Sequence, residues 1–161
     1  MTPAAAVQVN VMVVFYSRYG ATEKLALAGG LGAIQARGNL RLRRLADLAD
    51  PKQIAGDAEW STNLQRMSRE YIAPRPIDLA WADVVMLAAP SPCEEMQAYL
   101  SAVLRQGNGH KFAALITPWK AMCEAAAMLG FQVASAPPEA TDPGLTAFGK
   151  SVCEKALAGK T

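Results

Sequence analysis

The residues best suited to chemistry lie between Ser17 and Thr22, in the stretch Ser17-Arg18-Tyr19-Gly20-Ala21-Thr22. A hydroxyl stands at each end, a glycine lies between them, and a helical pattern follows at once. The first N–H groups of a helix lack intrahelical acceptors and its dipole favours negative charge, so this turn reads as an anion site. Ser17 and Thr22 add donors, and Arg18 adds a cation when it folds inward. The same residues also suit an ordinary Ser/Thr-capped turn. The turn lacks the Gly-Lys-Ser/Thr ending of a Walker loop and the three-glycine spacing of a dinucleotide fingerprint.

Other reactive side chains are few. Cys93, Cys123 and Cys153 are too few and too odd in number for a disulfide framework, and without a Cys-x-x-Cys pair zinc has only His110 to add. Cys93 stands near a helix start, which lowers a thiol pKa, but Glu94 and Glu95 oppose this. His110 falls on the amino side of the expected sheet, as a surface residue. No side chain stands out as an essential acid or base.

The elements that position these residues follow from periodicity. Val7 to Tyr16 ends as a continuous apolar run, the pattern of a central parallel strand covered on both faces. Thr22 to Arg37 carries Leu27, Leu31 and Ile34 on one helical face, with Gly38 at the stop. Gly29, Gly30 and Gly32 weaken that helix and suit close approach to the sheet. Leu40 to Leu45 reads as an edge strand whose Arg41, Arg43 and Arg44 either attract phosphate or form a solvated edge, the latter being preferred. Residues 47–76 read as an irregular insertion or linker, broken by Pro51, Gly56, Pro74 and Pro76, with a short helix over Ser61 to Tyr71. Strands at Val84 to Ala89, Phe112 to Ile116 and Phe131 to Ser135 then alternate with helices at Cys93 to Arg105, Trp119 to Leu129 and Leu145 to Leu157. Five such alternations predict an α/β domain over 1–161, with helices on both faces of a parallel sheet. In open sheets of this kind ligands bind beyond the carboxyl ends of the strands, where the Ser17–Thr22 turn lies.

Composition bounds the function. The 161 residues suit one domain, and 52% hydrophobic against 19% charged residues exclude a disordered chain. Sixteen Lys and Arg against fourteen Asp and Glu give +2, too near neutral for a nucleic-acid binder. No apolar run reaches the roughly 20 residues of a membrane span. Met1 to Val9 shows no secretion signal, so the expected setting is cytoplasmic and reducing.

Phe15 to Ala26, FYSRYGATEKLA, resembles the FMN phosphate loop of the flavodoxin superfamily. It is most similar to that of the tryptophan-repressor-binding-protein-type NAD(P)H:quinone oxidoreductases. Asp78 to Pro92, DLAWADVVMLAAPSP, resembles the third strand of that family, and Met96 to Leu100 the start of the next helix. The resemblance implies a flavodoxin-like three-layer sandwich, a five-stranded parallel sheet of order 2-1-3-4-5, and a dimer. It implies that Ser17, Arg18, Tyr19, Gly20, Ala21 and Thr22 hold the FMN phosphate. Pro90, Ser91 and Pro92 would then lie beside the flavin ring, with Thr117, Pro118 and Trp119 on its far side. FMN would take a hydride from NAD(P)H and pass electrons to a quinone.

The chain also departs from that family. Flavin-using relatives carry a longer third loop, with an aromatic and a glycine around the ring, whereas Pro90-Ser91-Pro92-Cys93-Glu94 is short. Ser91 and Glu94 read as a capping box with Pro92 at the first helical position. Thr117-Pro118 and Thr141-Asp142-Pro143 read as similar helix starts. Glu94 and Glu95 oppose the positive end of their helix and disfavour an anionic reduced flavin. Two functions therefore remain open: an FMN-dependent oxidoreductase, or a flavodoxin-like domain that binds flavin weakly or not at all and serves as an interaction module.

Overall fold

The computed structural model describes residues 7–103 and 107–160, so Met1–Ala6 and the expected helix end at Arg105 lie outside the described residues. Strands β1 (Asn10–Phe15), β2 (Asn39–Arg44), β3 (Val84–Ala88), β4 (Phe112–Leu115) and β5 (Gln132–Ser135) pair in parallel, in the order β2-β1-β3-β4-β5. The helices are α1 (Ala21–Gln35), α2 (Pro51–Ala55), α3 (Ala58–Glu70), α4 (Pro76–Trp81), α5 (Glu94–Ala102), α6 (Lys120–Met128) and α7 (Asp142–Ala158). The expected strands and helices are all present, with ends shifted by a few residues.

The apolar runs become the two central strands because both of their faces are covered. Val11, Val13, Phe15, Val84 and Met86 pack under α1 and α7, while Met12, Val14, Val85 and Leu87 pack under α5 and α6 with Met96, Leu100 and Met122. Each fully buried side chain of this kind contributes roughly 1.5–3 kcal/mol. Every strand points its carboxyl end at the same edge, which gathers the first, third and fourth crossover loops there.

Helix α1 corrects one expectation. Leu27, Leu31 and Ile34 do share a face, but it points outward, at 41%, 48% and 56% exposure. The buried face is Ala26, Gly29, Gly30, Gly32 and Ala33. Its lack of side-chain bulk lets α1 approach its neighbours closely: a Cβ on Gly29 would stand 2.5 Å from Ile116 Cδ1, and one on Gly32 would stand 2.2 Å from the Thr146 carbonyl of α7. The glycines therefore serve contact with the sheet, as expected, and with α7 as well. The positive φ at the end of α1 falls on Arg37, not Gly38. Gly38 is favoured instead by a tight passage beside Val9, whose carbonyl a Cβ would approach at 3.0 Å.

The arginines of β2 are not a solvated fringe. Arg41 and Arg43 converge on Asp78 of α4, which is fully buried, at 3.0 and 2.9 Å. Arg44 is itself buried and pairs with Asp47 at 3.1 Å. Residues 47–76, expected to be irregular, carry α2, α3 and the start of α4, and Ile72 adds a parallel bridge to β2 opposite Arg43. The predicted helix at Ser61 to Tyr71 is the body of α3. Proline and glycine mark the ends of these short helices without breaking a longer one, as with Asp50 capping α2 ahead of Pro51.

Candidate functional site

The turn from β1 to α1 bends at Gly20, which sits at φ 99° in the left-handed region that favours glycine. Its N–H donates to Ser17 Oγ at 3.1 Å, so the Ser17 hydroxyl keeps its own hydrogen for a further acceptor. The amides of Arg18, Tyr19, Ala21, Thr22 and Glu23 find no acceptor among the described residues. These amides stand at the positive end of a 15-residue helix. Around them lies a cavity of about 310 Å³, lined by Tyr16, Ser17, Arg18, Tyr19, Ala21, Thr22, Pro90, Ser91 and Cys93. That volume is at the lower end for small-molecule sites.

Helix α3 straps the outside of this turn. Tyr19 Oη donates to Asp57 at 2.6 Å, and the Arg18 guanidinium lies 4.1 Å from the centre of a Trp60 ring. Asp47 gathers the rest: it accepts from Tyr16 Oη at 2.7 Å, from Trp60 Nε1 at 3.0 Å and from Arg44 Nη2 at 3.1 Å. Arg44 also donates to the Ser17 carbonyl at 2.8 Å, fixing the start of the turn, and its Nε is buried with no partner among the described residues. Burial first, with Asp47 assisting, raises the Tyr16 phenol far above its ordinary range, so it stays a neutral donor.

The charges around the turn nearly cancel. Arg44 is matched by Asp47, and Arg66 of α3 by Glu23 at 2.6 Å. Arg18 has no carboxylate partner among the described residues, being bonded to Tyr16 Oη at 3.0 Å and stacked on Trp60. Attraction for an anion therefore rests on the open amides, the helix dipole and Arg18, not on a basic surface.

The third and fourth loops differ from the capped turns expected of them. Helix α5 begins at Glu94, with Cys93 as N-cap and no side-chain cap, so Ser91 and Glu94 form no capping box and Pro92 precedes the helix. Helix α6 begins at Lys120, with Trp119 as N-cap. Thr117 serves elsewhere: its Oγ1 accepts from the Ala89 N–H at 2.9 Å, and Trp119 Nε1 donates to the Ala89 carbonyl at 2.8 Å. The two loops are stitched together through one residue. Only the fifth crossover follows the expected design, with Thr141 accepting from Gly144 N at 3.4 Å.

Of the residues singled out in the sequence, Ser17, Arg18, Tyr19, Ala21, Thr22, Pro90 and Ser91 line the cavity, and Gly20 shapes its turn. Pro92 faces the groove between α5 and α6 instead, and Thr117, Pro118 and Trp119 lie outside the cavity wall. Cys93 does line it, yet burial first and then Glu95 raise its thiol pKa, the opposite of an activated thiolate. Glu95 is buried and accepts from Leu48 N at 3.0 Å, turning its charge toward residue 48. Of the thiols, only Cys153 is a buried core residue; Cys93 and Cys123 are half-buried. His110 is exposed. Sequence reading missed Glu23, Asp47, Trp60, Arg66 and Tyr71, and preferred a solvated edge for Arg44, which is buried and bonded to the Ser17 carbonyl. The seven-residue spacing of Trp60 and Met67, both buried, was the one local sign that α3 had an inner face.

A bound FMN would meet two unlike ends here. The phosphate end fits: Arg18, Tyr19, Ala21 and Thr22, whose amides have no acceptor among the described residues, line the cavity together with Ser17. The far ring wall expected from the fourth loop does not, because Thr117 and Trp119 already use both backbone groups of Ala89.

No family profile matches the chain, and no curated protein matches it by sequence. Solved structures do. A flavodoxin from the domain Archaea matches with a TM-score of 0.59 at 16% identity, over 91% of this chain and 98% of that one. The two-electron reduced flavodoxin of Megasphaera elsdenii matches at 0.57 and 15% identity, over 89% and 98%. A diflavin flavoprotein A3 from Nostoc sp. matches at 0.57 and 13% identity, over 96% and 97%. This chain has the flavodoxin-like fold.

Proposed function

We propose that the chain is a flavin-binding domain of flavodoxin type that holds the phosphomonoester end of FMN at Ser17–Thr22. The supporting observation is that the amides of Arg18, Tyr19, Ala21 and Thr22, which have no acceptor among the described residues, belong to residues lining a cavity at the carboxyl edge of the sheet. Ser17, Gly20 and Thr22 would bind the phosphate, with Pro90 and Ser91 beside the ring. When bound, FMN supplies hydride and electron transfer; its partners in the NAD(P)H:quinone reductase version of this reading are NAD(P)H and a quinone. The resemblance in sequence carries that version, together with a homodimer, while the proposed cytoplasmic setting rests on the cysteine usage and the start of the sequence.

A second reading is a flavodoxin-like domain with weak flavin binding or none, acting as an interaction module. The stitched third and fourth loops favour it, since the ring would be held from one side only.

The visible spectrum of the purified protein, followed by parallel titrations with FMN and inorganic phosphate, separates the readings. In the first, FMN binds more tightly than phosphate. The change of both Ser17 and Thr22 to alanine weakens FMN by at least about tenfold, the scale of hydrogen bonds to a charged group. In the second, FMN binds no more tightly than phosphate. A colourless protein that binds neither would sink the phosphate assignment.

A further inference from the structure

We infer that Arg66 is a positioning residue that keeps the anion site receptive by fixing and neutralising the Glu23 carboxylate beside the head of α1. The inference rests on the phosphate-binding reading above.

With Gly20 as N-cap, Glu23 occupies the third helical position. A glutamate there ordinarily reaches back to the N-cap N–H as half of a capping box. Left without a counter-charge beside the turn, its carboxylate would repel a phosphate there as a like charge. The structure shows it bonded to residues beyond α1 instead. Arg66 grips it with two bonds, Nη2 to Oε1 at 2.6 Å and Nη1 to Oε2 at 2.9 Å, while Tyr71 Oη donates to Oε2 at 2.6 Å. The N-cap amide that Glu23 would take is instead given to Ser17 Oγ.

The pair lies beside the turn itself. From where a Gly20 Cβ would stand, Glu23 Oε1 and Arg66 Nη2 are each 3.6 Å away. Glu23 is almost fully buried, so water cannot screen it, and its pKa is lowered by Arg66 first and Tyr71 further, so it stays charged. Arg66 is anchored in turn by Glu70 at 3.0 Å, one turn along α3. Both partners of Glu23 thus come from residues 47–76, the segment that sequence reading left without a role. Its α3 sets the charge that a ligand at the turn meets.

Four proteins test this: the wild type, Arg66→Met, Glu23→Gln and the double variant, each titrated with FMN and with inorganic phosphate and each melted. Methionine keeps the apolar stem, and Arg66 is exposed enough that its loss opens no core. Arg66→Met should weaken both ligands roughly tenfold, the scale of one unpaired charge near an anion. The added Glu23→Gln should restore binding to within about threefold of wild type, because the offending charge is gone. A structural role alone would lower the melting temperature of Arg66→Met without that rescue. Equal binding by wild type and Arg66→Met, or a double variant as weak as Arg66→Met, overturns the inference and leaves the phosphate reading intact. Failure of the wild type to bind either ligand overturns both.

Discussion

Gly32→Ala should melt well below the wild type, while Gly30→Ala, two residues away on the same helix, should be as stable or slightly more so. The helical gain is the same at both sites, since alanine is better than glycine by about 1 kcal/mol in a helix interior. The neighbours decide the sign. A Cβ on Gly30 would meet Leu40 Cδ2 at 3.4 Å and Leu42 Cδ2 at 3.7 Å, ordinary contacts with the ends of flexible side chains. A Cβ on Gly32 would stand 2.2 Å from the Thr146 carbonyl, 2.5 Å from Lys150 N and 2.9 Å from Gly149 C. All of these are backbone atoms that no rotamer can move. Gly149 completes the contact from the other side, with its own Cβ position 2.3 Å from the Gly29 carbonyl. Relief requires α1 and α7 to separate along their shared length, and overpacking of this kind costs about 1–3 kcal/mol or more. With two helices displaced, the upper end applies, giving a net loss of roughly 2 kcal/mol and a melting shift of roughly 4–8 °C. Thermal melts of the two variants measure it. An unchanged melt for Gly32→Ala would mean that the two helices slide freely, which their backbone contact forbids.

That contact also explains what periodicity could not show. The central strands were legible because a run such as VMVVFY needs cover on both faces, and alternation with helices then set the parallel order. For α1 the leucine spacing was real, yet it marked the outer face, because a face of glycine and alanine brings backbones closer than leucines allow. Hydrophobic periodicity reads side chains and is blind to a packing surface made by their absence. The β2 arginines show a different gap. Their spacing suits a solvated edge until Asp78, 35 and 37 residues further on, is placed beneath them.

The site was legible in proportion to how local it is. The turn at Ser17–Thr22 can be read from six adjacent residues, of which five line the cavity and Gly20 shapes the bend. The charge environment could not be read this way: Arg66 acts on Glu23 across 43 positions, and Asp47 on Tyr16 across 31. The third loop misled for a related reason. Ser91 and Glu94 have capping-box spacing, but the path of the chain there is fixed by Thr117 and Trp119 bonding to Ala89, so the strand's exit runs on to Cys93 before the helix begins.

Asp78→Asn should cost about 3 kcal/mol at neutral pH and abolish part of the protein's acid sensitivity. Asp78 is fully buried, so desolvation alone would raise its pKa. Arg43 opposes this with a fork of two bonds, at 2.9 and 3.1 Å, joined by Arg41 at 3.0 Å and the Arg75 N–H at 2.8 Å. These donors prevail and hold the carboxyl well below the ordinary aspartate range. Asparagine keeps the volume but removes the charge and turns an N–H toward guanidinium donors. Breaking a buried pair costs about 3–5 kcal/mol. The lower figure suits this site, because Arg41 and Arg75 can turn to water and only Arg43 is left enclosed. The pH dependence follows from the direction of the shift. With the folded pKa below the unfolded one, the unfolded chain binds the proton first, so stability rises with pH between the two values. Asp78's contribution is complete above about pH 5 and drains as the pH falls below about 4. Urea unfolding of both proteins at neutral pH and near pH 3 reads this directly, with the gap between them narrowing in acid. A constant gap would mean that Asp78 acts by shape alone. Because Asp78 ties α4 to β2, and so anchors the segment that carries α3, loosening it should also free the strap over the turn. Asp78 is not among the residues that line the cavity. Weaker anion binding by Asp78→Asn would therefore show that the edge of the sheet supports the site through residues 47–76.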